Sequence, residues 1–330
     1  MKSTARTLRQ MTVLSCGGWL AAAGIARAAD AASSYPSRPV RIVVPFTAGS
    51  GPDVVARMVG QKMTEAWAQP VIVDNRAGAG GTLGADLAAK AAPDGYTLLM
   101  ATPSQTISMS LYPSLPYNFG RDFAPVTVVA GSDYAMAVGN QVPAKSLREL
   151  IALAKARPGQ LNFGSAGNGT VAHVAGEQLK QQAGIDIVHV PYKGASQVIT
   201  DVIGGQITLL FNSVATLSPQ IKAGKLRGMA VAAPTRNALL PEVPTFTEAG
   251  VPGIEIRVWF GLLAPAGTPA DIVGKLNAEV VRIVRASDLQ ERIVGQGLEP
   301  VGNTPAQFAA LIKQEITRYA GLVKPAAKAE

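Results

Sequence analysis

From Val40 onward, short β-rich runs alternate with amphipathic helical stretches, and at four junctions the chain turns through a loop of glycine, serine, threonine and proline. This alternation constrains the fold more than any other feature. Repeated strand–helix units form mainly parallel sheets with helices on both faces. Residues 40–44 (VRIVV) read as a strand stopped by Pro45. Residues 54–67 read as a helix with Val55, Val59 and Met63 on one face. Further strands are expected at 71–73, 97–100, 187–190 and 207–211, with a helix over about 195–203. Ser146 and Glu149 form a capping box for a helix that buries Leu147, Leu150, Ile151 and Ala154 and stops at Arg157-Pro158-Gly159. Thr268-Pro269 starts a helix with the stripe Ile272, Leu276, Val280 and Ile283, and Thr304 with Gln307 caps the last one.

In parallel sheets of this kind, ligands sit at the carboxyl ends of strands, where helices begin. The unusual loops fall there: residues 45–53 (PFTAGSGPD), 102–105 (TPSQ, with Thr102 and Ser104), 163–170 (FGSAGNGT) and 190–194 (VPYKG). Glycine lets backbone approach a ligand, and helix-start N–H groups carry partial positive charge. Any one loop reads as an ordinary helix cap. Four of them, from both halves of the chain, point to a shared cleft that receives a carboxylate without a buried lysine.

The first 28 residues have a different character. Lys2, Arg6 and Arg9 precede an apolar stretch over 11–25, and Ala26-Arg27-Ala28 closes it. This is the layout of an export signal, with cleavage expected after Ala28. The apolar run is too short and too rich in Gly and Ala for a bilayer span. Val13-Leu14-Ser15-Cys16 resembles a lipobox only loosely. Cys16 is the single cysteine, so the exported chain would lack disulfides, thiol nucleophiles and cysteine metal sites. Four of the 30 basic residues (Lys2, Arg6, Arg9, Arg27) and none of the 22 acidic ones lie in the leader, leaving 26 against 22. That slight excess suits an anionic ligand, and no basic cluster with interleaved aromatics suggests nucleic acid.

Catalytic and cofactor constellations are weak. Gly78-Ala79-Gly80-Gly81-Thr82-Leu83-Gly84 looks like a dinucleotide loop, but Leu83 stands where the third glycine belongs, so close packing of a helix start is the better reading. Gly164-Ser165-Ala166-Gly167 hints at a nucleophile elbow, with Phe163 in place of its first glycine. His173, expected one to two turns into a helix, and His189, expected in a strand, are the available bases. No histidine or acidic spacing suggests a metal, and no cofactor is expected.

Joint occurrence of several stretches gives a specific resemblance: residues 35–57 (YPSRPVRIVVPFTAGSGPDVVAR), 73–86, 93–100, 145–173, 190–194 and 262–269. The chain closely resembles the Bug family, periplasmic solute receptors of tripartite tricarboxylate transporters. The resemblance implies a two-lobed type II periplasmic-binding-protein fold, each lobe a mainly parallel sheet flanked by helices. Lobe one would hold residues 36–136 plus 257–330 and lobe two 137–256, with crossings near 134–138 and 256–262. It implies a ligand loop of Phe46, Ala48, Gly49, Ser50 and Asp53, where two ordered waters bridge backbone carbonyls to a ligand carboxyl. The second lobe would present Ser165, Gly167 and Thr170, with Tyr192 beside them. Two positions depart from the family pattern: Ser50 follows Gly49 where relatives usually have two glycines, and Asn212 follows Phe211 where many carry aspartate. Asn212 either faces the ligand, disfavouring an amino acid, or caps the following turn.

The function expected is a monomeric, non-enzymatic periplasmic receptor that captures a small mono- or dicarboxylate between two lobes. Its partners would be the membrane subunits of the transporter or a sensor protein. The alternative is a secreted serine hydrolase using Ser165.

Overall fold

The computed structural model describes residues 34–322. The leader, Cys16 and the expected cleavage after Ala28 lie outside the described residues.

The first half runs β1 (Val40–Val44), α1 (Gly51–Trp67), β2 (Val71–Asn75), a short 3-10 turn (Ala79–Gly81), α2 (Thr82–Ala89), β3 (Thr97–Ala101), α3 (Pro103–Leu111) and the long β4 (Phe123–Gly139). Then come α4 (Leu147–Ala156), β5 (Asn162–Ser165), α5 (Val171–Ala183), β6 (Val188–Pro191), α6 (Ala195–Ile203), β7 (Leu209–Ser213), α7 (Val214–Lys222) and β8 (Leu226–Val231). The chain finishes with β9 (Arg257–Pro265), α8 (Ala270–Arg285), α9 (Ser287–Gly295), β10 (Glu299–Pro300) and α10 (Pro305–Leu322).

Most elements form where local chemistry dictates. The valines and isoleucine of β1 that point inward are fully buried, as β-branched side chains packed on both sheet faces should be. α1 begins at Gly51, three residues before the hydrophobic period starts, because Pro52 is tolerated in a first turn. The stripe of α8 is buried at Ile272, Leu276, Val280 and Ile283, but Pro269 is its N-cap rather than its first helical residue. The box of α10 is complete: Gln307 accepts from the Thr304 N–H, and Thr304 Oγ1 accepts from the Gln307 N–H. That of α4 has one arm only. Ser146 Oγ accepts from Glu149 N, while the Glu149 carboxylate accepts from Lys145 N.

Two sheets share β4. Strands β2, β1 and β3 are parallel, and β9 runs antiparallel between β3 and the first part of β4. In the other sheet β6, β5 and β7 are parallel, and the second part of β4 lies antiparallel between β7 and β8. β4 leaves the first sheet at Asp133, paired with Arg257, and enters the second at Tyr134, paired with Ser213. The chain returns at Ile256–Arg257, where β9 starts.

Trp259 sits two residues into β9, in the core of the first sheet, edge-on to Phe308 at 5.1 Å. Its indole N–H donates to Glu315 Oε2 at 2.9 Å. Thr106 Oγ1 lies 3.2 Å from the same oxygen and 2.7 Å from the Pro103 carbonyl. Glu315 thereby ties α10 to β9 and to α3. It is 7% exposed, and burial pushes its carboxyl up to about 7 against the pull of the Trp259 and Thr106 hydrogen bonds.

A carboxyl raised in the folded state keeps its proton after the unfolded chain has lost it at about 4.3. Its stabilising contribution is therefore present at low pH and lost as pH rises through about 7. Chemical denaturation of wild type and Glu315→Gln across pH 4.5–8 should show the wild type losing up to ~1.4 kcal/mol per pH unit relative to the variant up to pH ~7, then running parallel to it. Parallel curves throughout would mean that Glu315 is ionised in the folded chain.

Candidate functional site

A cavity of about 690 Å³ of empty space, its open mouth included, lies between the two sheets. Five helices start at its wall. Their N-caps Ser50 (α1), Thr102 (α3), Thr170 (α5), Gly194 (α6) and Ser213 (α7) all line it. Two come from the first sheet's side and three from the second's. Each brings backbone N–H groups with no intrahelical partner and the positive end of a dipole. No Asp, Glu, Lys or Arg is among the lining residues. Phe46, Tyr134, Val198, Leu210, Phe211, Val258 and Phe260 supply the apolar wall. The arrangement favours negative charge without a fixed cation, and its apolar wall suits a ligand with a hydrocarbon body.

The local sequence explains the close fit. A Cβ at Gly51 would lie 2.9 Å from the Phe260 ring, so any larger residue there would have to displace that ring. Thr102 makes a full capping box with Gln105: Thr102 Oγ1 accepts from Ser104 N, and Gln105 Oε1 accepts from Thr102 N. Ser50 Oγ is buried and has no hydrogen-bond partner in the protein.

Of the residues singled out from sequence, Phe46, Ser50, Thr102, Ser104, Ser165, Thr170 and Asn212 line the cavity. Ala48 and Gly49 are exposed and are not among the lining residues, and Gly49 takes a φ of 76°. Asp53 lies beneath that loop, 2% exposed. Its carboxylate accepts from Gly49 N at 2.8 Å and Asn75 Nδ2 at 2.9 Å, and pairs with Arg57 at 2.9 Å. Burial alone would raise its pKa, but Arg57, the Gly49 N–H and Asn75 together hold it below the usual carboxylate range. Gly167 and Tyr192 line a neighbouring opening between residues 78–81 and 166–168. Tyr192 turns its hydroxyl to Asp201 at 2.6 Å, and burial with that neighbour pushes the phenol up to about 12.

Asn212 lies on the cavity wall and does not cap the helix that follows. Its Oδ1 accepts from Ser213 N at 2.8 Å. The N-cap of α7 is Ser213 itself, whose Oγ accepts from Thr216 N. Sequence reasoning missed this fifth helix start, although Asn212-Ser213 ahead of Val214 is a cap signal. It also missed Tyr134, Val258 and Phe260, which reach the cavity through the two crossings.

Ser165 Oγ lies 2.7 Å from His189 Nε2, 2.9 Å from the Gly167 carbonyl and 3.1 Å from Gly167 N. The His189 ring is stacked between Phe163 at 4.8 Å and His173 at 4.2 Å. His173 lies in the first turn of α5, and its Nδ1 accepts from Gly169 N. Burial lowers both imidazole pKa values, that of His189 to about 4 with His173 assisting. No carboxylate hydrogen-bonds either ring among the described residues. In the glycine stretch 78–84, Gly84 is held by close packing: a Cβ there would meet Arg76 O and Pro45 at 2.8 Å.

The site predicts unequal effects at Asp53. Asp53→Ala leaves the Gly49 and Asn75 donors without their acceptor and should cost about 2–4 kcal/mol in denaturant unfolding. Asp53→Asn keeps one acceptor and should cost roughly half. Equal losses would mean that the charge, which both variants remove, carries the whole effect and the acceptor that asparagine keeps adds nothing.

Comparison with known proteins places this geometry. Residues 55–327 match the sequence profile of TctC, the tripartite tricarboxylate transporter family receptor. The structure of the periplasmic binding protein BugD is 33% identical, with a TM-score of 0.83 over 87% of this chain and 97% of that one. An R. palustris protein solved with adipate is 33% identical, with a TM-score of 0.84 over 88% and 99%. MatC from Rhodopseudomonas palustris with bound malate is 34% identical, with a TM-score of 0.84 over 88% and 100%. The chain belongs to the Bug family of tripartite tricarboxylate transporter receptors, periplasmic solute-binding proteins of mixed α/β architecture.

Proposed function

We propose that this member of the receptor family is a non-enzymatic periplasmic protein that binds a small, amine-free mono- or dicarboxylate between its sheets. The observation that carries the reading is the cavity's charge pattern. Five helix starts face a space lined by no charged side chain. That pattern attracts an anion and offers no carboxylate to an ammonium group. Two relatives were solved with the dicarboxylates adipate and malate, which supports the same ligand class. The free Ser50 hydroxyl, Thr102, Ser104, Ser165, Thr170 and Asn212 are the proposed polar contacts. Asp53 with Gly49 holds the loop carrying Phe46 and Ala48, and Gly167 and Tyr192 border the mouth.

The two lobes, 36–136 with 257–330 and 137–256, are proposed to close over the ligand by population shift. The closed form would be presented to the transporter's membrane subunits or to a sensor. Contacts across the mouth support closure. A Cβ at Gly80 would lie 2.2 Å from Asn168 O, and one at Gly194 would lie 2.5 Å from Thr47 Oγ1. The Ser165–His189 contact favours a hydrolase instead, and ester turnover lost in Ser165→Ala would sustain it.

Native mass spectrometry of freshly purified protein, followed by calorimetric titration with malate and adipate, tests the receptor reading. Binding of either, or a retained organic acid, is expected, and retention of an amine would sink it. Ser50→Ala should weaken binding about ten-fold or more, since a hydrogen bond to a charged group contributes roughly 1.5–3 kcal/mol. Gly194 has an extended φ of −168°, so Gly194→Val should fold normally yet bind weakly because its side chain meets Thr47 across the mouth. Wild-type affinity in Gly194→Val would remove closure from the mechanism.

A further inference from the structure

We propose that His189 is a positioning residue: its Nε2–H fixes the Ser165 oxygen so that the serine hydroxyl serves as a hydrogen-bond donor to the ligand. This rests on the receptor reading above. It also makes Ser165 and His189 a donor pair rather than a nucleophile and its base.

The assignment follows from counting protons. A serine hydroxyl donates once and accepts twice. The Gly167 carbonyl, 2.9 Å from Ser165 Oγ, can only accept, so the serine proton points to it. Gly167 N, at 3.1 Å, can only donate. The remaining contact, His189 Nε2 at 2.7 Å, must then donate as well. With its proton on Nε2, neutral His189 cannot take a proton from Ser165.

The same geometry leaves the hydroxyl free to turn. Thr170 Oγ1 donates to the Gly167 carbonyl at 2.8 Å, so that oxygen keeps a partner when the serine proton swings away. Two N–H donors meanwhile hold the hydroxyl oxygen of Ser165, a residue that lines the cavity, in place. His173 is fixed in the same tautomer, since its Nδ1 accepts from Gly169 N. Burial keeps both rings neutral near pH 7.

The chain has two histidines, so ¹⁵N-histidine labelling of the full-length protein gives an interpretable spectrum. Both rings should show a protonated Nε2 and a bare Nδ1 without ligand. A bare Nε2 on His189 overturns the proposal and restores the serine–base arrangement. This reading does not depend on any ligand, so it stands apart from a failure of malate and adipate to bind. Titrations with those two acids supply the second arm. His189→Gln retains an N–H donor and loses the ring stack, whereas His189→Phe retains the stack and loses the donor. The glutamine variant should stay within about three-fold of wild type. The phenylalanine variant should lose about five- to ten-fold, as expected for one net hydrogen bond. That loss should vanish in a Ser165→Ala background. The opposite ranking, equal affinities, or a loss that persists without Ser165 would make His189 a packing residue only.

Discussion

β4 is the constraint on which the rest of the structure depends. One strand, Phe123–Gly139, is shared by two sheets, pairing with β9 up to Asp133 and with β7 from Tyr134. Each sheet then sets three parallel strands beside antiparallel partners. Because the parallel strands of both sheets end toward the same space, the helices that follow them begin there. The cavity is a consequence of this topology. Its walls are helix starts because strand–helix units place their loops at the carboxyl ends of strands, and its Tyr134, Val258 and Phe260 wall is the crossings themselves.

Electrostatics then follow from backbone rather than side chains. Helix-start N–H groups cannot be satisfied within their own helices. Hydroxyl caps satisfy part of that demand, as Thr102 does for Ser104 N and Ser213 for Thr216 N. α1, α5 and α6 have N-caps that make no side-chain cap bond, so their donors stay directed at the cavity. A buried lysine would carry a heavy desolvation cost and hold an anion tightly even with the lobes apart. Distributed partial charges provide attraction that is strongest when both sides surround the ligand. For a receptor that must release its cargo, this is the more useful distribution.

Much of this was legible in the sequence because local rules agreed with the global fold. The period of Ile272, Leu276, Val280 and Ile283 gave its helix, and the glycine- and serine-rich loops gave four of the five helix starts. The illegible parts are tertiary. Nothing local shows that Val258 and Phe260 meet Tyr134 across a crossing, nor that Trp259 faces Glu315, 56 residues away. The resemblance placed Asp53 in the ligand loop without showing what holds it there. Its role under the loop depends on Asn75, supplied by the next strand. Ala48 and Gly49 belong to the same loop as Phe46 and Ser50 but are exposed and do not line the cavity, so only part of the loop forms its wall.

The mouth shows how glycine sets the balance of the proposed closure. Gly80 approaches Asn168 and Gly167 backbone to backbone, and the Gly194 backbone approaches the Thr47 side chain. Such contacts bury little apolar surface, so they add little stability by themselves. A side chain at either position would hold the mouth apart, and a large apolar one would reward closure without cargo. Glycine at both positions does neither. The closed arrangement is sterically permitted and energetically left to the ligand, whose interactions with helix starts on both sides supply the differential affinity that a population shift requires.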